Sequence, residues 1–256
     1  SLHDALPICT KTVLITGASR GIGAKTALLA AQEGWQVAVN YSTNSLAADA
    51  LVREIRSAGG TAMSIQADVG REDQIKKMFE QIDAKWGRLD GLVNNAGVVD
   101  HTQRLDQFSA ERLERMMRIN VLGSFLCAKE AVLRMSTRYQ RDGGSIVNVG
   151  SAASRLGSPG QYIDYAASKG AIDVMTIGLA KEVASEGIRV NAVRPGVIDT
   201  EIHASGGLPH RARDLAPQMP MGRVGTAQEV ANAIVWLLSP MSSYCSGSLI
   251  DIAGAR

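Results

Sequence analysis

Three cysteines in 256 residues, Cys9, Cys127 and Cys245, stand far apart with no C-x-x-C spacing. That argues against a disulfide framework and a zinc knuckle, and fits a reducing, cytoplasmic setting. Aromatic residues are only 4% of the chain, and 27 lysines and arginines against 25 aspartates and glutamates leave a formal net charge of +2. With no block of roughly five or six basic residues, nucleic acid and acidic membrane surfaces are not expected partners. No apolar run approaches the roughly 18 residues of a membrane span, and the N-terminus lacks a basic region followed by an apolar stretch. Neither a membrane anchor nor a secretory leader is expected. The four histidines, His3, His101, His203 and His210, have no ligand spacing with one another or with cysteine, so no metal site is expected.

What is present is the composition of an ordinary globular protein, 45% hydrophobic and 20% charged, enough to bury a full core. Residues 10–256 are expected to form one domain, since α/β units of this length often do. The octet 1–8 has no initiator Met and no periodic pattern, and Ala5-Leu6-Pro7-Ile8 reads as translated sequencing adapter. Residues 1–9 are therefore expected to be a non-native or disordered leader.

Apolar β-branched runs alternate with longer segments of helical period. Strands are expected at KTVLIT, QVAVN, TAMSIQA, GLVNN, SIVNVGS, IRVNAV and SLIDIA. Helices are expected over 22–33, 45–58, 72–86, 162–185 and 226–238, with one long helix over 110–138. Seven strands, near-continuously apolar rather than alternating, imply an α/β fold: a doubly wound, Rossmann-type parallel sheet with helices on both faces. Residues 201–225, rich in proline and glycine between a strand and a helix, are expected to form a substrate lid.

The first strand runs into Thr16-Gly17-Ala18-Ser19-Arg20-Gly21-Ile22-Gly23 and then a helix. Glycines there allow a tight turn and close approach of backbone to a ligand, and the helix N-terminus offers free N–H groups to a pyrophosphate. A ligand-free turn is the plainer reading of such a cluster, but a strand before it and a helix after it argue for the ligand. Asn94-Asn95-Ala96-Gly97 closes the fourth strand, where the crevice at the switch point of such a sheet opens. Tyr165 and Lys169, at i and i+4, share one helical face, so the ammonium can sit near the phenol. By itself that spacing is more often a solvated helix face. Ser151 follows the strand SIVNVG.

Taken together, these residues resemble the short-chain dehydrogenase/reductase family over about 11–254. TGASRGIG, NNAG, Asn120, Ser151, YAASK and Arg194-Pro195-Gly196 stand in the family's order and approximate spacing. The chain is most similar to β-ketoacyl carrier-protein reductases and glucose or polyol dehydrogenases within it. The resemblance implies a nicotinamide cofactor, a homotetramer, and a catalytic set of Asn120, Ser151, Tyr165 and Lys169. Asn120 would keep a water in a proton relay behind Lys169; a buried Asn satisfying a helix kink is the other reading of that residue. Cofactor contacts are implied for Gly17, Ser19, Arg20, Gly21, Ile22 and Gly23, and for Asn40, Tyr41 and Ser42 after the second strand. They are implied also for Asp68 and Val69 at the adenine, for Asn95, Ala96 and Gly97, for Tyr165 and Lys169, and for Pro195, Gly196, Val197, Ile198 and Thr200. Tyr162, with no Lys at i+4, is set aside as a decoy.

Reducing a ketone puts hydride on carbon and a proton on oxygen, so a group must donate a proton as alkoxide character develops. Tyr165 is placed to do this. Bringing a phenol from ~10 towards ~7 takes roughly 4 kcal/mol, which Lys169 and the positive ring of the oxidised cofactor would supply. Ser151 would hold the substrate oxygen beside the phenol. The second strand ends without a carboxylate, and Arg20 offers a planar fork to a 2′-phosphate, so NADP(H) is favoured over NAD(H). Asp142 and Glu186 stand where carrier-protein reductases commonly present basic residues, although Arg138 and Arg141 adjoin Asp142. The expected partner is thus a small free ketone, aldehyde or sugar, or its alcohol. Reduction of a 3-oxoacyl carrier-protein thioester is the alternative, and a non-catalytic NADP-binding regulator the remote one. Ala152, Ala153 and Leu156 suggest an apolar wall to the substrate site, and Gln161, His203 and His210 a polar side.

Overall fold

The computed structural model describes residues 10–256, so the expectation for the leader 1–9 lies outside the described residues. Strands β1 (Thr12–Ile15), β2 (Gln36–Tyr41) and β3 (Thr61–Gln66) alternate with helices α1 (Gly21–Gln32), α2 (Ser45–Ser57) and α3 (Glu72–Trp86). The second half runs β4 (Gly91–Asn94), α4 (Ala110–Met117), α5 (Gly123–Met135), β5 (Gly144–Val149), α6 (Ala153–Leu156), α7 (Ile163–Val183) and β6 (Ile188–Pro195). It closes with β7 (Ile198–Asp199), α8 (Ile202–Ser205), α9 (Arg211–Leu215), β8 (Gly225–Thr226), α10 (Ala227–Leu238) and β9 (Leu249–Ile252). Seven strands form one sheet in the order β3-β2-β1-β4-β5-β6-β9, and each neighbouring pair is parallel. The order reverses between β1 and β4, which opens a crevice beyond their carboxyl ends.

Strand side chains alternate between two cores. Val13 and Ile15 face the layer of α1, α2 and α10, where Ala27, Ile55 and Ile234 are buried. Leu14 faces the opposite layer of α3, α5 and α7, where Phe79, Ala131 and Ile172 are buried. Each large apolar side chain so buried contributes roughly 1.5–3 kcal/mol, and burial on both faces is why these strands read as unbroken apolar runs. Helix ends follow local chemistry: the Asn44 side chain accepts from the N–H of Ala47 at 3.0 Å to start α2, and Gly87 at φ +69° ends α3 in a left-handed cap.

One expectation needs correction, and the expected lid segment gains detail. The long helix over 110–138 is broken: α4 and α5 are separated by a π-helical turn, Arg118–Leu122, that carries Asn120. Residues 201–225 are not irregular throughout, since they hold α8 and α9, and β7 pairs with β8 in a short parallel ribbon that staples the ends of the segment. Among the described residues no helix is long and apolar enough to cross a membrane.

Candidate active site

The crevice is built first from backbone. Gly17 and Gly21 take φ of +59° and +56°, and a Cβ on Gly17 would lie 2.9 Å from the Ala96 Cα, so the β1–α1 turn and the end of β4 approach too closely for a side chain. A Cβ on Gly23 would lie 2.6 Å from Nδ2 of Asn95. Asn95 locks this turn, donating from Nδ2 to the carbonyls of Thr16 and Gly17 at 2.8 and 2.9 Å. The Thr16 hydroxyl receives the N–H groups of Asn95 and Ala96, each at 3.0 Å. Asn40, buried in β2, accepts from the N–H of Gly17 at 3.1 Å and donates to the Ala67 carbonyl at 3.0 Å. Its side chain is thus a pin for the glycine turn, facing inward rather than into the crevice.

The remaining expected cofactor positions ring this turn. Ser19 and Arg20 lead into α1, and Arg20, exposed, donates from Nη2 to the Ser205 hydroxyl of α8 at 3.2 Å. Tyr41 ends β2, and Ser42, exposed, follows it. Asp68 caps the loop after β3 by accepting from the Gly70 N–H at 2.8 Å, and Val69 is buried beside it.

Beyond the turn lies a cavity of about 450 Å³. It is lined by Ile22, Asn95 and Gly97, by Pro195, Gly196, Val197, Ile198 and Thr200, and by Ser151, Tyr165 and Lys169. Ser151, just past β5, accepts from the Ala153 N–H at 3.1 Å and acts to lower the Tyr165 phenol, but burial outweighs it and pushes that phenol up to about 12. Lys169, one helical turn on in α7, is buried, donates from Nζ to the Val149 carbonyl at 2.7 Å, and sits 5.7 Å from the Tyr165 ring centre. Burial brings its ammonium down to about 8, opposed by the carboxylate of Asp173.

Asn120 stands behind this group. Its Oδ1 accepts from the Val98 N–H at 2.8 Å, and its Nδ2 donates to the Val98 carbonyl at 2.9 Å and to the Ser168 hydroxyl at 3.1 Å. The side chain thus ties the π-turn to the loop after β4 and to α7. A Cβ on Gly97 would lie 3.5 Å from both Asn120 Oδ1 and Lys169 Nζ, so the loop passes close to both groups.

Ala152, Ala153 and Leu156 line the cavity, as does Gln161, while the His203 side chain lies outside the described residues. Selectivity is expected in 157–163 and in the lid 201–225, and both segments line the cavity, but three of their residues there are not singled out by the sequence as site residues. Tyr162, set aside as a decoy, meets the Tyr165 ring edge-on at 5.8 Å. Arg211 of α9 reaches across to it, and Leu208 lies nearby. No local signal marks Arg211, because its partners are fixed by how α9 folds back. Glu186 proves to be turned inward, accepting from the Ser136 hydroxyl, which leaves Asp142 exposed next to exposed Arg138 and Arg141.

Comparison with known proteins agrees with this geometry. The family model described as Enoyl-(Acyl carrier protein) reductase matches residues 17–254. The chain is 55% identical to an Escherichia coli protein named Uncharacterized oxidoreductase YgfF, over 95% of this chain and 98% of that one. It is 38% identical to a 3-oxoacyl-[acyl-carrier-protein] reductase of Synechocystis, over 96% and 97%. The solved structure of a Serratia marcescens short-chain dehydrogenase/reductase variant superposes with a TM-score of 0.88 at 32% identity, covering 98% of this chain and 99% of that one. A crevice at the β1/β4 reversal, a glycine turn without room for a Cβ, and these matches along nearly the whole described chain lead to one conclusion: it belongs to the short-chain dehydrogenase/reductase family of nicotinamide-dependent oxidoreductases.

Proposed function

We propose that the chain is an NADP(H)-dependent oxidoreductase acting on CH–OH groups, exchanging hydride with a small free ketone, aldehyde or sugar, or the corresponding alcohol. The observation that carries this reading is that Ser151, Tyr165 and Lys169 line one cavity, with Lys169 Nζ 5.7 Å from the Tyr165 ring centre. When bound, the nicotinamide supplies or takes the hydride and, oxidised, brings a positive charge beside the phenol. Ser151 and Tyr165 hold the substrate oxygen, and Tyr165 gives it a proton as charge develops there. A phenol pushed up by burial remains a neutral donor at neutral pH. Alcohol oxidation needs the phenolate, which the cation of Lys169 favours. Lys169 itself exchanges its proton near neutral pH and so passes protons on, while Asn120 positions the loop and α7 around it.

The preference for NADP(H) rests on charge. β2 ends in Asn40-Tyr41 and is followed by Ser42, with no carboxylate to repel a 2′-phosphate. Arg20 has a neutral hydroxyl partner in Ser205 and no ion pair among the described residues, so its fork is open to that phosphate. The segment between β7 and β8 serves as the lid, and Arg20 touches it through Ser205. Exposed apolar side chains, Leu122 and Phe125 by α5, Val174 on α7 and Trp236 on α10, suit assembly into a homotetramer. Free thiols at Cys127 and Cys245 suit a cytoplasmic location.

A second reading, reduction of a carrier-bound 3-oxoacyl thioester, is favoured by the name of the Synechocystis relative and by exposed Arg138 and Arg141. Initial rates of NADPH and NADH oxidation separate the two, measured on free ketones, aldehydes, a β-ketoester and a β-ketoacyl carrier protein, with Tyr165→Phe as control. NADPH-driven turnover of free carbonyls, lowered about 10²- to 10⁴-fold in Tyr165→Phe, is expected. Turnover of the carrier-bound substrate alone would establish the second reading, and NADPH binding without any turnover a non-catalytic one.

A further inference from the structure

Among the residues lining the cavity there is no aspartate or glutamate, yet an arginine from the lid reaches into it. Arg211 stands on α9, partly buried. It donates from Nη2 to Oε1 of Gln161 at 2.7 Å, and its guanidinium carbon lies 5.3 Å from the Tyr162 ring centre. That ring is in turn edge-on to Tyr165. Arg211 forms no ion pair among the described residues, whereas Arg213 on the same helix meets Asp214, and Arg194 and Arg155 share Asp251. A guanidinium carries five N–H donors in a planar fork, and a neutral amide with an aromatic face leaves both its charge and most of its donors unmatched.

The platform beneath Arg211 is fixed. The Gln161 carbonyl accepts from the Gln103 N–H at 2.9 Å, and the Gln103 side chain accepts from Arg112 at 2.9 Å. Arg112 makes a buried two-point pair with Asp164, at 2.7 and 3.1 Å, next to Tyr165 in the chain. The cation and the proton donor are thus held from one anchored segment, with only the Tyr162 ring between them. Arg256, also at the cavity wall, acts on the Tyr162 phenol with the same sign as Arg211.

We infer that the substrate is a short oxo acid, or the matching hydroxy acid, whose carboxylate pairs with Arg211 across the Tyr162 ring while its carbonyl takes Ser151 and Tyr165. This rests on the oxidoreductase reading above and narrows it to anionic carbonyl compounds. A carboxylate matches the guanidinium fork with two parallel bonds, and its charge meets a cation that has no counter-ion in the pocket.

The test compares acetoacetate and levulinate with their methyl esters in the NADPH-dependent reaction, for the unmodified protein, Arg211→Met and Arg211→Lys. The expected acid-to-ester ratio of kcat/KM is about 10- to 100-fold in the unmodified protein, the range of hydrogen bonds to charged partners. It collapses towards unity in Arg211→Met and is partly restored in Arg211→Lys, and the change lies in KM. Binding is read separately as the rise in Tm that each acid gives to Tyr165→Phe saturated with NADPH, with and without Arg211→Met. A rise for the acid but not the ester, lost with Arg211→Met, supports the anion site even if no compound turns over, and in that case only the oxidoreductase reading fails. An unmodified protein that treats acid and ester alike in both measurements, or a ratio unmoved by Arg211→Met, overturns the proposal.

Discussion

The two halves of the crevice are made of different things. On the β1 side, the glycine turn is shaped by backbone, and the side chains that hold it, Thr16, Asn40 and Asn95, spend their polar atoms on neighbouring main chain. On the α7 side, functional side chains project inward: Tyr165, Lys169, Tyr162 and Arg211 present a phenol, an ammonium, a second ring and a guanidinium to one cavity. Under the proposed function the first half would be the cradle for the cofactor, and the second would be where chemistry and selectivity reside. Substitutions on one side should therefore read out as cofactor affinity and stability, and on the other as turnover and substrate choice.

The sharpest division comes from Tyr165→Phe. Losing a positioned proton donor lowers turnover about 10²- to 10⁴-fold, while the phenyl ring still packs against Tyr162 and NADPH still binds. Single-turnover rates beside a cofactor titration check it; a parallel loss of NADPH affinity would mean that the halves are not separable. Gly17→Ala is the mirror image. With φ at +59° and the Ala96 Cα 2.9 Å from the new Cβ, strain and overpacking cost about 1–3 kcal/mol. Urea unfolding and the NADPH Kd should worsen together, because the displaced turn is the cradle itself.

Lys169→Met tests whether the active half carries a stability cost. The Lys169 ammonium stands at about 8 against an ordinary 10.5. Between those values the unfolded chain binds more protons, so the penalty on folding is full below pH 8 and fades as pH rises to 10.5. Removing the ammonium recovers up to about 3 kcal/mol at pH 7, less about 1–3 kcal/mol for the Val149 carbonyl left without its donor. Lys169→Met is therefore expected to lose activity without losing stability at pH 7, and to become the less stable protein near pH 10.5. Denaturant midpoints at the two pH values decide it.

The same contrast explains what could be read from the sequence. The cradle was legible because its requirement is local: glycines at the end of an apolar strand, followed by helical period, are demanded by the turn itself. Tyr165 and Lys169 were legible because i and i+4 share a helical face. The break at Arg118–Leu122 was legible only as the other reading of Asn120, a buried Asn at a helix kink, since its partners Val98 and Ser168 lie 22 and 48 residues away and the apolar period runs on through it. Arg211 was hidden for the same reason: its partner Gln161 is 50 residues distant and on another element. Tyr162 was discounted on spacing alone, although what brings it to the cavity is its place at the start of α7, beside the anchored Gln161.

A last pair of variants sharpens the distinction between a side chain that shapes the cradle and one that only supports the scaffold. Asn40 and Asn44 flank the same β2–α2 connection, and each accepts a backbone N–H, from Gly17 at 3.1 Å and from Ala47 at 3.0 Å. Asn40 is buried, so Asn40→Ala strands the Gly17 N–H and the Ala67 carbonyl, at about 1–3 kcal/mol, and frees the turn to shift. Asn44→Ala removes an exposed helix cap, where water replaces the lost acceptor, at about 0.5–1 kcal/mol. Both lower the Tm, Asn44→Ala by less. Only Asn40→Ala is expected to weaken NADPH binding, because only Asn40 reaches the Gly17 backbone. If Asn44→Ala weakened it equally per unit of stability lost, cofactor affinity would be following the fold as a whole, and the cradle would not be the separately built half that its hydrogen bonds describe.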